Sequence, residues 1–291
     1  MNLLYMAFGP NAKIHLQTAF SIYSFLRQKQ FVNSINIVTD NEAFYNHLSS
    51  HVHLIKVTED DLTEWKGEHR FFWRIKIKAL EKVCMLYPNE PVVYLDCDTF
   101  LYSDLSVLNN SLVNDKAFMH EDEGALSAKT TKTQRNMWRQ IAGKTFGNLL
   151  MQPTGHMWNA GVVGTPNNQN GADCKLALTI CDEMCRQDVS RYFIEQYSLS
   201  LALETMYGLV EAKTEIAHYW STKDIWTNRI HDFFIEAYFA GWSYETILSK
   251  MKDYDTSALP IYQKVKTTNV RLKNWVDKMF GNRNLQYLSK K

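Results

Sequence analysis

Apolar and polar positions along the chain follow two alternating rhythms. NLLYMAF (2–8) is a short apolar run that reads as a buried strand, broken by GPN. KIHLQTAFSIYSFLRQK (13–29) then carries Ile14, Ala19, Ile22, Phe25 and Leu26 at helical spacing. INIVTD (35–40) reads as a second strand ending in an aspartate, and HVHLIKV (51–57) alternates like a third. EHRFFWRIKIKALEKVCMLYP (68–88) reads as a second strong helix with Pro88 just past its end, and VVYLD (92–96) as the next strand. Strands alternating with helices predict an α/β sheet with parallel members. Ligands of such sheets gather at the carboxyl ends of strands, where the strand order reverses. Asp40 and Asp96 stand at such ends.

Past residue 115 the rhythm loosens. KAFMHEDEGAL (116–126) reads as a strand running into a polar loop, and residues 129–155 as mixed and partly helical. HMWNAGVVGTP (156–166) is a short strand flanked by turn residues; residues 172–187 and 190–206 are helices; residues 210–224 are a strand and a loop. From about 228 onward the chain reads as helical.

Composition narrows this picture. With 291 residues, 45% of them apolar, the chain suits one large domain or two small ones. A net charge of +1 points to no nucleic-acid partner. The frequent aromatics (13%) serve a core or flat platforms for sugar rings. Cys84, Cys97, Cys174, Cys181 and Cys185 are odd in number and lack the spacing of a zinc site, which suits a reduced, cytoplasmic chain. MNLLYMAFGPNAK has no basic leader or long apolar stretch, so no signal peptide is expected, and no run of about 18 apolar residues predicts a membrane span.

The chemistry concentrates in PVVYLDCDTFLYSDLSVL (91–108). In an extended segment Asp96 and Asp98 face one way and Cys97 the other, with the carboxylates about 6–7 Å apart. Such a pair suits a hard divalent cation that keeps open positions for a diphosphate; otherwise the two are solvated turn residues. Haloacid-dehalogenase-like phosphatases also carry DxD after a strand. Their pattern places a small residue and then Thr after the second Asp, whereas Thr99 follows at once here, and their motif usually opens the domain.

This segment resembles the DxD region of glycosyltransferases with the GT-A fold, the family 8 (glycogenin-like) type in particular. MWNAGVVG (157–164) is similar to that family's Asn-Ala-Gly strand, IEQYSLSLAL (194–203) to its Asp-Gln helix start with Glu in place of Asp, and AHYWSTKD (217–224) to its His-and-Lys segment. The resemblance covers roughly residues 1–225. It implies a GT-A, Rossmann-like mixed sheet flanked by helices. Residues 1–227 then form the catalytic domain, with 1–115 as the nucleotide part and 116–227 as the sugar and acceptor part, and 228–291 a helical C-terminal extension. It also implies Asp96, Asp98 and His218 as ligands of Mn²⁺ or Mg²⁺, with Asp96 also at the ribose and Lys223 on the diphosphate. Tyr219, Trp220, Ser221 and Thr222 stand between His218 and Lys223, where the family has glycines. Asn159, Ala160 and Gly161 would line the sugar pocket, Gly161 by letting the backbone approach a ligand. Glu195 and Gln196 would flank the anomeric carbon as catalytic groups. Ala7, Phe8 and Cys97 would lie along the nucleotide, as would Asp40 unless it only ends its strand.

On the 68–88 helix Phe72, Ile75, Ala79, Val83 and Leu86 make the apolar face, and Arg74, Lys78 and Glu81 project away from it. Lys76 falls among the apolar positions, where it either snorkels out or meets an anion. Related enzymes keep a basic residue near this point for donor phosphate or sugar, so Lys76, then Arg74, are the candidates. MHEDEG (119–124) reads as a solvated acidic loop, an acceptor-side loop or a second cation site. The basic, aromatic-dotted 264–291 stretch reads as a solvated helix face or a peripheral contact with an anionic membrane.

The resulting expectation is a metal-dependent transferase moving a sugar from a nucleotide-diphosphate sugar, a UDP-sugar on the resemblance, to a glycan, lipid-linked or other acceptor. The resemblance favours retention; inversion stays open because Glu195 can serve as a base. The rivals are a sugar-phosphate nucleotidyltransferase, whose Gly-rich, Arg- and Lys-containing loop is missing from MAFGPNAK, and an inactive nucleotide-sugar-binding protein.

Overall fold

The computed structural model describes residues 1–167 and 169–264, together with residues 272, 275, 276, 278 and 279. The first half runs β1 (Asn2–Ala7), α1 (Ala12–Leu26), β2 (Ser34–Thr39), β3 (His53–Lys56), α2 (Glu59–Lys66), α3 (Arg74–Leu86), β4 (Val92–Leu95), β5 (Thr99–Leu101) and α4 (Ser106–Val113). Next come β6 (Ala117–Met119), β7 (Asp122–Ala125), α5 (Lys132–Ile141), β8 (Thr145–Phe146), β9 (Leu149–Leu150), β10 (His156–Trp158) and β11 (Val162–Thr165). The chain continues with α6 (Ala172–Arg186), α7 (Ile194–Tyr207), β12 (Leu209–Glu211), β13 (Ile216–His218), α8 (Lys223–Phe239) and α9 (Tyr244–Lys252).

Seven strands form a mixed sheet in the order β12-β6-β11-β4-β1-β2-β3. β11 runs antiparallel to both neighbours, and the other pairs are parallel. Both faces are covered, which is why the strands read as continuous apolar runs. Successive side chains go to opposite sides: Leu4, Val92 and Tyr94 join a core with α3, α6 and α7, whereas Leu3, Tyr5, Val93 and Leu95 join one with α1, α8 and α9. This is the α/β class that the alternating rhythm predicts.

Strand order reverses at β1, with β2 on one side and β4 on the other, so a crevice opens beyond Ala7 and Leu95. Two short ladders complete it: β5 pairs with β13, and β7 with β10.

Several sequence expectations are corrected. The helix expected over 68–88 is α3, which starts only at Arg74; residues 68–73 form turns, with Arg70 at φ 49. Phe72 therefore leaves the expected apolar face and is 53% exposed, and Leu86, the last residue of α3, is 55% exposed. The 156–166 stretch is two strands, because Asn159–Gly161 break away to hydrogen-bond at the site. MHEDEG is no free loop: β7 is laddered to β10 and His120 is buried. Helix begins at Lys223 and runs as α8 and α9 to Lys252; residues 253–264 are turns and irregular backbone, where Asp255 accepts from Ser257 N–H and Pro260 cannot donate, and the described residues 272, 275, 276, 278 and 279 are again helical. The 264–291 stretch lies almost wholly outside the described residues. No helix among the described residues is long and apolar enough to cross a membrane.

Candidate active site

Backbone pairing assembles the site. The segment after β4 turns sharply, Thr99 N–H bonding to Asp96 C=O at 3.2 Å, so it is not the extended run expected. The turn aims both carboxylates the same way and sends the Cys97 thiol to the Met6 carbonyl, 3.0 Å away. The β5–β13 ladder sets His218 opposite Thr99, and Tyr219 N–H bonds to Asp98 C=O. Asp96, Asp98 and His218 thus offer ligand atoms within 4.8 Å of one another, although His218 lies 120 residues away in sequence from Asp98 (218 − 98).

The imidazole is held in one tautomer. His218 Nδ1–H donates to Asn159 Oδ1 at 3.1 Å, and the same oxygen accepts from Gly161 N–H at 3.0 Å. The Nε2 lone pair is left facing Asp98 Oδ1 at 3.7 Å and Asp96 Oδ2 at 3.9 Å. A second partner that fixes the ring in this way is what a metal-binding histidine needs. Two carboxylates and a neutral imidazole form a donor set that Mn²⁺ accepts, and the spacing fits a cation between them. Gly161 serves the same purpose. A Cβ there would meet His218 Cε1 at 2.1 Å, so the missing side chain makes room for the ring, not for a ligand as the sequence suggested.

Each aspartate also has its own lysine. Lys223, opening α8, lies 3.1 Å from Asp98 Oδ2. Buried Lys76 donates to Ala160 C=O at 3.1 Å and pairs with Glu195 Oε1 at 3.2 Å and Asp96 Oδ1 at 3.5 Å. Its ammonium also sits 4.9 Å over the Tyr94 ring, whose hydroxyl donates to Asp96. The lysine on the apolar face therefore meets anions, but they are the protein's own carboxylates. Three carboxylates (Asp96, Asp98, Glu195) face two ammonium groups (Lys76, Lys223), a formal balance of −3 + 2 = −1 that favours a further cation.

The protonation states follow. Burial works to raise the Asp98 carboxyl, but the adjacent His218 ring and the Lys223 ammonium 3.1 Å away outweigh it and hold it well below the usual carboxylate range. Burial raises Glu195, and Asp96 adds repulsion that Lys76 only partly offsets. Burial works to lower Lys76, yet its two carboxylates raise it, so it stays charged. Burial pushes the Cys97 thiol up to about 12, so it is no nucleophile.

A cavity of about 610 Å³ opens on this cluster. Met6, Phe8 and Ile14 form an apolar end, and Lys76, Asp96, Cys97, Asp98, Gln196, His218 and Lys223 a polar one. Other expected residues stand elsewhere. Arg74 is bidentate to Asp182 on α6 at 2.7 and 3.0 Å, outside the cavity. Asp40 is exposed and accepts from Gly9 N–H at 2.8 Å, pinning the loop after β1. Ala7 is buried in the core. Asn159 and Ala160 act through His218 and Lys76, and Glu195 is committed to Lys76. Sequence reading missed Gln17, Phe72, Trp73, Tyr94 and Tyr192, which also line the cavity. Phe72 and Trp73 of HRFFWR precede the helix and stay exposed at the cavity, whereas a helix over 68–88 would turn Phe72 to the core.

No family model and no curated protein matches the chain. Among solved structures it is similar to the galactosyltransferase LgtC in complex with donor and acceptor sugar analogues, at 16% identity, TM-score 0.45, over 72% of this chain and 73% of that one. It is also similar to mouse xyloside xylosyltransferase 1, at 12% identity, TM-score 0.45, over 72% and 85%. The glycosyltransferase GlyE of Streptococcus pneumoniae aligns at 13% identity, TM-score 0.46, over 100% of this chain and 65% of that one.

Proposed function

We propose that this chain is a metal-dependent GT-A glycosyltransferase that uses a nucleotide-diphosphate sugar, with a UDP-sugar as the first candidate. The observation that carries this reading is the Asp96–Asp98–His218 cluster, flanked by two lysines, in a cavity with an apolar end at the sheet's reversal point. Asp96, Asp98 and His218 would hold the ion, which supplies charge neutralisation for a departing diphosphate. Lys223 adds a donor for that diphosphate, and Phe8 and Ile14 an apolar surface for the base. In the transfer the acceptor hydroxyl oxygen bonds to the anomeric carbon, the bond from that carbon to the diphosphate breaks, and the hydroxyl proton passes to the departing oxygen. Glu195 supports the retaining course. Buried and ion-paired to Lys76, it is poorly placed as a base for inversion.

The test is a thermal-shift panel of UDP, GDP, ADP and CDP, each with Mn²⁺ or with chelator. Native-state ligands raise the melting temperature by mass action. One nucleotide should shift the protein with Mn²⁺ alone, and Asp98→Asn should lose that shift. An equal shift in Asp98→Asn would sink the metal site, and no shift with any nucleotide would sink the reading. Donor hydrolysis then separates an enzyme from an inactive binding protein.

A further inference from the structure

A second cavity, of about 710 Å³, lies on the other side of His218. His218 and Trp220 line both cavities, so the two meet at the metal cluster. Three aromatics stand around the second one with more than half of each exposed: Tyr102 at 54%, Trp220 at 54% and Tyr262 at 61%. Water-facing aromatics at one mouth forgo the burial that normally stabilises such rings, and a stacked ligand would restore it.

The arrangement is built. After α9 the chain returns across the site and is tied down by hydrogen bonds to the stretch that runs from the end of β13 into the first turn of α8. Trp226 Nε1–H donates to Pro260 C=O at 3.0 Å, Thr222 hydroxyl to Ile261 C=O at 3.0 Å, and Gln263 N–H to Ser221 Oγ at 3.0 Å. These bonds bring Tyr262 to Trp220, with ring centroids 5.9 Å apart.

The polar lining selects the ligand's charge. Glu121 and Glu123 offer carboxylate oxygens. Lys213, the lysine of this cavity among the described residues, is already held by Glu211 at 2.9 Å and Glu121 at 3.3 Å. Among the described residues of the lining, a phosphorylated or carboxylated ligand would find no lysine or arginine without a carboxylate partner, whereas neutral hydroxyls can donate to the carboxylates. A ligand with flat apolar faces and a rim of hydroxyl donors is a sugar ring.

We propose that this cavity seats a neutral saccharide as the acceptor, stacked on Trp220 and Tyr262 and hydrogen-bonded by Glu123. This deepens the glycosyltransferase reading and rests on it, because the acceptor hydroxyl must meet the donor at the shared wall of His218 and Trp220. The 260–263 strap then makes the C-terminal part of the chain a contributor to acceptor specificity.

The test titrates lactose, maltose and N-acetylglucosamine into the full chain, read by tryptophan fluorescence and saturation-transfer NMR, with UDP and Mn²⁺ present and absent. At least one saccharide should bind, Tyr262→Ala should weaken it about tenfold, and Tyr262→Phe should retain it. Tyr262 is exposed, so folding survives either change, and the UDP–Mn²⁺ thermal shift should stay as in the wild type. Saccharide binding undiminished in Tyr262→Ala, or a response to n-octanol with none to any saccharide, would overturn the proposal. So would silence to all of these probes. A missing nucleotide shift in the wild type would instead overturn the donor reading, independently of the saccharide signal.

Discussion

Lys223 Nζ lies 3.1 Å from Asp98 Oδ2, on a carboxylate that also faces His218. The lysine therefore occupies an oxygen that a divalent ion would need, and it is the same lysine that would meet a diphosphate. Burial works to lower Lys223, but Asp98 raises it, so the ammonium is charged and competes as a cation.

Lys223→Ala should consequently raise Mn²⁺ affinity in the nucleotide-free protein while lowering nucleotide affinity. The Lys223 side chain is 48% exposed, so the gain should be modest, about two- to fivefold. Isothermal titration with Mn²⁺ alone reads it. A weaker Mn²⁺ affinity in the variant would show that lysine and ion do not compete.

Gly161→Ala should remove the metal response by displacing the His218 ring, since the added carbon would lie 2.1 Å from Cε1. Overpacking of this kind costs about 1–3 kcal/mol. The expected result is a lower melting temperature that no longer moves with Mn²⁺. A variant retaining both would place the ring elsewhere.

Glu195 predicts a pH dependence. Its carboxyl is raised above the ordinary 4.5, chiefly by burial, facing Lys76 from α3, Asp96 and Tyr94 from the β4 side, and Cys181 from α6. A raised acid contributes stability that is fully present below its unfolded value and lost as pH rises through its folded one. Urea midpoints should carry this fall above about pH 4.5, and Glu195→Gln should flatten it. Superimposable pH profiles would refute the assignment.

Arg74→Ala should cost stability and spare the site. The Arg74–Asp182 pair ties α3 to α6 and is partly exposed (15% and 35%), so a loss of about 1 kcal/mol is expected. Chemical denaturation measures the loss. An abolished nucleotide shift in a folded variant would return Arg74 to the donor cavity.

Much of this was legible in the chain itself. Leu3–Leu4–Tyr5 and Val92–Val93–Tyr94–Leu95 announced strands covered on both faces, because only a fully buried strand is apolar at every position. Asp96, Asp98 and His218 were legible as residue types set beside strands, and Lys76 as a charge on a buried helix face. Tertiary structure decided what each one meets. Arg74 and Lys76 are two residues apart on one helix, yet about 200° of rotation sends one to Asp182 and the other to Asp96 and Glu195. Asn159 and Gly161 looked like a ligand pocket, and the fold spends them on the His218 ring. Tyr262 reaches Trp220 only because hydrogen bonds fold the chain back after α9. Local pattern sets which faces are buried, since burial follows side-chain periodicity; which distant residues share a site depends on strand pairing and chain return, and neither has a local signature.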